Sequence, residues 1–292
     1  MNIAVLIKQV VDVTFHFDLQ PETNLPHPDD LFYMINPADL SASECALQLN
    51  EKWGGEVLFI SLGPLRVRHA LVSVLAMGGT RAIHVCDKGL GRSSLTAAHI
   101  LAQVVRPLAC DLILCGTHSL DEGSGEVPAA LAEVLDLPQV TGVLGMEITS
   151  GGTQAIVERR MERGRRQTIG CQLPAVFAID PWAAVPRYAS LPRLLEAYAG
   201  KNISQVESQT LGVDPSQPGG IEERRRLVGL SLPRPRPKKT FAIDGSLSAD
   251  ERMELIMSGG MTRRASGQVL EGEPFQVARQ LATTLLHRKL VG

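Results

Sequence analysis

The chain has little of what marks a secreted, membrane-spanning or nucleic-acid-binding protein. Its five cysteines, Cys45, Cys86, Cys110, Cys115 and Cys171, are odd in number, form no C-x-x-C pair and sit mostly in apolar runs. That pattern argues against both a disulfide framework and a zinc site. There is no excess of positive charge: 29 Lys+Arg stand against 31 Asp+Glu, a formal charge of −2. Affinity for nucleic acid or anionic lipid would therefore have to come from a local patch. No apolar run approaches the ~18 residues that a membrane-spanning helix needs. The opening run Met1–Ile7 is too short for a signal-peptide core and has no charged leader, so it reads as the first strand of a cytoplasmic protein.

What the chain does have is length and alternation. At ~150 residues per domain, 292 residues allow roughly two domains, or one large α/β unit with appendages. Short apolar runs recur at Ile3–Ile7, Val57–Leu62, Ala82–Val85 and Leu112–Cys115, the pattern of strands buried on both faces. Stretches with helical spacing lie between them. The first is predicted to start at Asn36-Pro37, with Asn36 capping and Pro37 at the first helical position, and to stop at Gly54-Gly55. Others run from Pro64 to Gly78 and from Ser93 to Val104. The alternation predicts a doubly wound, mainly parallel α/β sheet.

After Pro138 the rhythm changes. Thr141–Ile148, Gln154–Arg160 and Gln167–Leu173 read as strands of an antiparallel hairpin addition, and Val176–Ile179 as a further apolar strand. Pro181–Pro192 reads as a loop. The predicted domains are an α/β nucleotide-binding domain over 1–211, a Pro/Gly-rich linker over 212–220, and a C-terminal arm over 221–292 that packs on another protein. The arm carries basic runs at Arg224–Arg226 and Arg234–Lys239, but no aromatics are interleaved with them, and the proline spacing suggests an extended linker rather than a nucleic-acid surface.

In an open parallel sheet ligands bind beyond the carboxyl ends of the strands, where helix N-termini offer unpaired N–H groups to anions. The loops to inspect are Lys8–Asp12, Gly63-Pro64, Cys86–Gly91 and Gly116–Val127. The last combines three glycines with hydroxyls and carboxylates before a helix expected from about Val127 to Leu135. This composition suits a nucleotide phosphate, with Ser124 and the Gly123 and Gly125 amides as donors, and a solvated loop has the same composition. It is neither a Walker loop nor G-x-G-x-x-G. His118, Ser119 and Asp121 are the residue types of a hydrolytic triad, but neighbours in one loop do not readily form a nucleophile–base–orienter chain. Cys115 reads as a small buried hydrophobe, and Arg163, Arg165 and Arg166 as a solvated turn.

Several stretches together carry a resemblance. Ile7-Lys8-Gln9-Val10, Ile35-Asn36-Pro37, Ser61-Leu62-Gly63-Pro64, Leu75-Ala76-Met77-Gly78, Asp111–Gly116, Leu137–Thr141 and Pro186-Arg187-Tyr188-Ala189-Ser190-Leu191-Pro192 occur in the order found in electron transfer flavoprotein β subunits. Residues Met1 to about Val213 resemble that family, and the tail loosely resembles its C-terminal arm. The resemblance implies a heterodimer whose α subunit holds a mobile FAD, while the β subunit binds a nucleotide and carries no catalytic residue and no metal. That nucleotide is AMP in one branch and a second FAD, reduced by NADH, in the other.

Carried over by position, the cofactor site falls on Leu6, Lys8, Asn36, Pro37, Ala38, Asp39, Leu62, Gly63, Gly116, Thr117, His118, Ser119, Leu120, Asp121, Glu122, Gly123, Ser124, Gly125, Glu126 and Val127. The stretch Asp121–Val127 resembles the flavin-branch pattern Asp-Gly-Asp-Thr-Ala-Gln-Val, which favours FAD over AMP. Val11-Asp12-Val13 and Gly63-Pro64-Leu65 depart from that branch on its NADH side. The implied partners are an α subunit, an acyl-CoA-type or other dehydrogenase, a quinone oxidoreductase or other acceptor and, in the flavin branch, NADH. Dehydrogenase recognition falls on Pro186, Arg187, Tyr188 and Leu191, with Leu191 as the apolar anchor. The alternatives are an AMP-binding structural subunit and a nucleotide-binding sensor of the adenine-hydrolase-like α/β type.

Overall fold

The computed structural model describes residues 1–16, 18–20, 22–87, 93–149, 151–212, 247–257 and 270–287. The chain divides into two units, Met1–Ser231 and Leu232–Gly292. The basic runs and all of the expected linker except Gly212 lie outside the described residues.

The first unit is built on a nine-stranded sheet. Its elements in chain order are β1 (Asn2–Leu6), β2 (Gln9–Val11), β3 (Tyr33–Ile35), α1 (Pro37–Trp53), β4 (Glu56–Gly63), α2 (Arg68–Met77), β5 (Arg81–Cys86), α3 (Ser94–Val105), β6 (Leu112–Gly116), α4 (Glu126–Leu135), β7 (Gln139–Ile148), β8 (Gln154–Arg160), β9 (Arg166–Gln172), β10 (Ala175–Ile179), α5 (Leu191–Tyr198) and β11 (Ile203–Glu207). The sheet order is β11-β5-β4-β1-β6-β10-β7-β8-β9. All neighbours from β11 to β7 pair in parallel, and β8 and β9 add antiparallel. The expected α/β class, with its antiparallel addition, is the architecture observed.

The apolar runs become central strands because both of their faces are covered. On β4, Val57 and Phe59 join one buried cluster, with Leu71, Val74 and Leu75 of α2 and Phe177 of β10. Leu58 and Ile60 face the other side, with Ile100 and Leu101 of α3 and Leu131 of α4. A run of consecutive apolar residues, here Val57–Ile60, is what such a double-sided environment selects.

Four elements were not expected: the short antiparallel pair β2 and β3, the first of which falls in the segment Lys8–Asp12 read as a loop, and α5 and β11. Leu191 and Pro192, placed in a loop from sequence, instead begin α5, with Ser190 at the N-cap position and Pro192 within the first turn, where a missing N–H costs nothing. Leu194 and Ala197 pack inward. The edge strand β11 pairs with β5 at Ile203↔Ala82 through Glu207↔Cys86. Its Ile-Ser-Gln-Val-Glu sequence has no long apolar run, and it becomes a strand because β5 offers an open edge.

In the second unit the described elements are α6 (Ala249–Met257) and α7 (Pro274–His287). Ser248 and Glu251 cap α6 reciprocally: the Ser248 N–H donates to Glu251 Oε2 at 2.9 Å and the Glu251 N–H to Ser248 Oγ at 3.4 Å. Met253 and Ile256 of α6 and Phe275 and Leu286 of α7 are exposed.

Candidate functional site

The chain leaves β1 toward β4 and β5, then returns to place β6 on the other side of β1. The order thus reverses between β1 and β6, where a doubly wound sheet opens a crevice at its carboxyl edge. A cleft of about 340 Å³ lies there. It is lined from β1 by Leu6 and Lys8, from the β4 end by Leu62 and Gly63, from α1 by Asn36 and Asp39, and from the β6 loop by most of Gly116–Val127. Of the twenty positions named from sequence, Pro37, Ala38, Leu120 and Gly123 are outside the lining. Sequence reading missed Gln9, Arg66, Ser94 and Cys115, which are in it. Gln9, and Asp87 in the lining beside it, fell within loops marked for inspection, whereas no pattern signalled Arg66 or Ser94.

The rim of the cleft is pinned by α1. Asn36 stands at the N-cap position as expected, but its side chain makes no cap hydrogen bond. Instead its Nδ2 donates to the His118 carbonyl at 3.0 Å and its Oδ1 accepts from the Leu120 N–H at 3.1 Å, so it holds the β6 loop. Asp39, one turn on and buried, accepts the Lys8 N–H on Oδ2 and the Gly116 N–H on Oδ1, both at 2.8 Å. One carboxylate thereby ties the ends of β1 and β6 together. Burial pushes Asp39 up to about 6, against the Lys8, Asn36 and Gly116 hydrogen bonds and the Lys8 charge, all of which favour its ionised form. Gly116 is obligatory beside it, because a Cβ there would fall on Asp39 Oδ1 and 2.7 Å from Ala38 Cβ.

Gly125 precedes α4 with φ +63°, and a Cβ would meet the Thr117 carbonyl at 2.8 Å. A glycine in this left-handed conformation turns the chain into α4, whose first residues Glu126, Val127 and Pro128 line the cleft. The N-terminus of α3 converges on the same place, with Ser94 Oγ 3.3 Å from Ser124 Oγ. Lys8 Nζ lies 2.9 Å from Asp121 and 3.3 Å from Glu122. Burial opposes the Asp121 charge, but hydrogen bonds from Ser119 and Lys8 outweigh it and hold the carboxyl below its ordinary range.

The hydrolytic alternative finds no geometry. His118 Nδ1 is 3.0 Å from Thr117 Oγ1, while Ser119 Oγ meets Lys8 Nζ at 3.4 Å and the Gly123 N–H at 3.4 Å. Cys115 is buried, its Sγ donates to the Phe177 carbonyl at 3.7 Å, and burial, with the Asp39 charge in addition, pushes the thiol far up. Among the described residues no cluster of His, Cys, Asp and Glu could hold a metal ion.

Away from the cleft, the segment after β10 is fastened to α1. Ser41 Oγ donates to the Asp180 carbonyl at 3.1 Å and accepts the Ala184 N–H at 3.0 Å. Arg187 grips Glu44 through Nε and Nη2, each at 2.8 Å, and also pairs with Glu51. Arg187, named from sequence as a recognition residue, is therefore committed inward. Pro186 is half-buried, Tyr188 is fully exposed and Leu191 is 66% exposed.

These features define an open α/β protein with a polar, glycine-turned cleft at its switch point. Residues 30–211 match the electron transfer flavoprotein domain. The chain is 34% identical over 234 residues to the electron transfer flavoprotein subunit beta of Thermoanaerobacterium thermosaccharolyticum, covering 80% of this chain and 88% of that protein. It is 30% identical over 287 residues to the same subunit of Bacillus subtilis, covering 98% and 97%, and 31% identical over 218 residues to that of Homo sapiens, covering 73% and 84%. The chain belongs to the electron transfer flavoprotein β-subunit family.

Proposed function

We propose that this chain, paired with an α subunit as β subunits of its family are, holds FAD in the β1/β6 cleft and supports electron transfer between a dehydrogenase and a downstream acceptor. The observation that carries the reading is the cleft itself: a built crevice at the switch point, its rim tied by Asp39 and Asn36, with the N-termini of α3 and α4 converging on Ser124. In it the α4 amides and Ser124 take a nucleotide phosphate, Asp39 sets the spacing of the two rims, and the walls of Leu6, Leu62 and Val127 exclude water from the base. FAD, when bound, supplies reversible one- and two-electron chemistry, and no side chain of this cleft is needed as a proton donor. NADH as the electron donor belongs to the same reading, and so does a cytoplasmic location; among the described residues no helix is long and apolar enough to cross a membrane.

FAD is favoured by the Asp121–Val127 pattern. A second reading, AMP, is favoured by the volume: about 340 Å³ is at the small end of ligand clefts and suits a mononucleotide. FAD contains the same adenylate unit, so both readings use the same walls. Replacing Ser124 with Glu separates them. A charge-assisted hydrogen bond from a hydroxyl stabilises a phosphate by roughly 1.5–3 kcal/mol, and a carboxylate in its place adds repulsion and bulk. Flavin released from the denatured heterodimer should fall from about two per complex to about one. If AMP disappears while flavin stays constant, the second reading holds, and if both are retained, the Gly116–Val127 loop does not bind the nucleotide.

Docking of the dehydrogenase is assigned to Tyr188 and Leu191, which the Arg187 clasp holds outward. Leu191→Ala should weaken docking by roughly 1–3 kcal/mol, the size of an interface hot spot, without altering the melting temperature or the nucleotide content. Unchanged coupled electron transfer in this variant would remove the segment from the docking surface.

A further inference from the structure

Inside the sheet lies a polar pair that the cleft chemistry does not use. Ser61 on β4 and His84 on β5 are both fully buried, at 0% exposure. They are register partners in the parallel β4/β5 ladder, so their side chains lie side by side on one face of the sheet. That face is the one covered by α2: Phe59 and Ala82, two residues before Ser61 and His84 on their strands, belong to the same buried cluster as Ala70, Leu71 and Val74. Apolar side chains are the ordinary occupants of such a place, and a serine and a histidine need polar partners there.

His84 has one such partner. Its Nε2 lies 2.9 Å from the Gly63 carbonyl oxygen, and because a carbonyl only accepts, Nε2 is the nitrogen that carries the proton. In the neutral ring Nδ1 is then a bare acceptor; it is buried and makes no hydrogen bond among the described residues. Ser61 Oγ is buried and unpartnered among them as well. One group accepts and the other both donates and accepts, on strands about 4.8 Å apart, yet no direct hydrogen bond joins them. The other neighbour of His84 in the sheet, Gln205 on β11, is exposed and donates its Nε2 to Glu207 Oε1 at 3.0 Å, so it is engaged elsewhere.

We infer that Ser61 and His84 bind one buried water molecule, which donates to His84 Nδ1 and shares a hydrogen bond with Ser61 Oγ, and that this relay makes His84 a positioning residue for Gly63. A single water satisfies both orphaned groups, which cannot satisfy each other across the gap. By occupying Nδ1 it also keeps the ring proton on Nε2, where it serves Gly63. The Gly63 carbonyl accepts the Asp87 N–H at 3.1 Å in addition, so the His84 ring braces the ends of β4 and β5 where Gly63 and Asp87 line the cleft. The water site stands on the buried pair alone, and its consequence for ligand retention rests on the nucleotide reading of the cleft.

The test uses the heterodimer with isotope-labelled histidine in this chain, followed through its ring nitrogens by NMR. In the wild type His84 should show a protonated Nε2 and a hydrogen-bonded Nδ1, and a crystal structure that orders internal water should show a peak within hydrogen-bond distance of both Ser61 Oγ and His84 Nδ1. Ser61→Ala should move the Nδ1 resonance downfield, toward an unbonded nitrogen. A glutamine amide reaches as far along the side chain as Nε2, and an asparagine amide only as far as Nδ1. His84→Gln should therefore retain the wild-type amount of nucleotide, measured after denaturation, and His84→Asn should lose most of it. The water site is overturned by an Nδ1 resonance that Ser61→Ala does not move, by a direct Ser61–His84 hydrogen bond in the crystal, or by the absence of a peak between them. The positioning role is overturned if His84→Asn retains as much nucleotide as the wild type, or if His84→Gln loses as much as His84→Asn. A wild-type complex that retains no nucleotide defeats the cleft reading and the positioning role with it, while the Nδ1 resonance still decides the water site.

Discussion

Asp39→Ala is expected to destabilise the protein near neutral pH, to destabilise it further in acid, and to loosen the nucleotide cleft. Removing the carboxylate leaves the Lys8 and Gly116 N–H groups, which it ties at 2.8 Å each, without their acceptor. An unsatisfied buried donor costs roughly 1–3 kcal/mol. Near pH 7 part of this is offset, because the variant no longer buries a charge, and the net loss should be roughly 2 kcal/mol. The pH dependence follows from burial holding Asp39 at about 6 against an ordinary 3.8. Between those values the folded state binds more protons than the unfolded one, so this residue's contribution to stability is full below 3.8 and is lost as the pH rises through 6. The penalty for Asp39→Ala should therefore grow by up to about 3 kcal/mol as the pH falls from 7 to 4. Urea titrations of both proteins at the two pH values, with nucleotide content read in parallel, check this. A penalty that is constant with pH would mean that Asp39 ionises as an ordinary exposed carboxyl does.

Arg187→Met is expected to lower stability by about 3 kcal/mol at pH 7, with the opposite pH dependence. Glu44 has a side chain only 5% exposed and depends on the Arg187 fork, while the second partner, Glu51, is 60% exposed and loses little. Stripping the partner from a buried charge typically costs 3–5 kcal/mol, and the partly open guanidinium places this case at the lower end. Hydrogen bonds from Arg187 hold Glu44 below its ordinary range despite burial. The stabilisation is present above the unfolded value of 4.5 and is lost as the pH falls through the lowered one, so the Arg187→Met penalty shrinks in acid. Because Arg187 also fixes the backbone before Tyr188 and Leu191, coupled electron transfer should fall with it. Leu191→Ala, by contrast, should reduce coupling at unchanged stability. If Arg187→Met has full stability and poor coupling, the arginine touches the partner directly and the clasp to Glu44 is incidental.

Much of this architecture is local in origin and so could be read along the chain. Strands buried on both faces are mostly apolar, which made β1, β4, β5 and β6 visible as short apolar runs, interrupted only by the buried Ser61 and His84. The start of α1 is written in Asn36-Pro37 and its end in Gly54-Gly55. Once a parallel sheet was inferred, the topology of such sheets named four loops to inspect, Lys8–Asp12, Gly63-Pro64, Cys86–Gly91 and Gly116–Val127, and described residues of all four line the cleft, Asp87 alone from the third.

What only the tertiary structure decided are the roles that depend on partners distant in sequence. Asn36 could be seen as a cap, but its side chain is drawn to His118 and Leu120, 82 and 84 residues away. Asp39 looks like any acidic residue in a first helical turn until its acceptors' donors arrive from 31 and 77 residues off. Arg187 read as a surface recognition residue because the sequence does not reveal that Glu44, 143 residues earlier, faces it. β11 has no signal of its own, since its strand state is conferred by the free edge of β5. By itself the sequence determined which segments are buried and where the chain turns, because those follow from local polarity and backbone sterics. The fold alone decided which polar groups meet, because hydrogen bonds across the sheet's carboxyl edge form only after the strands are ordered.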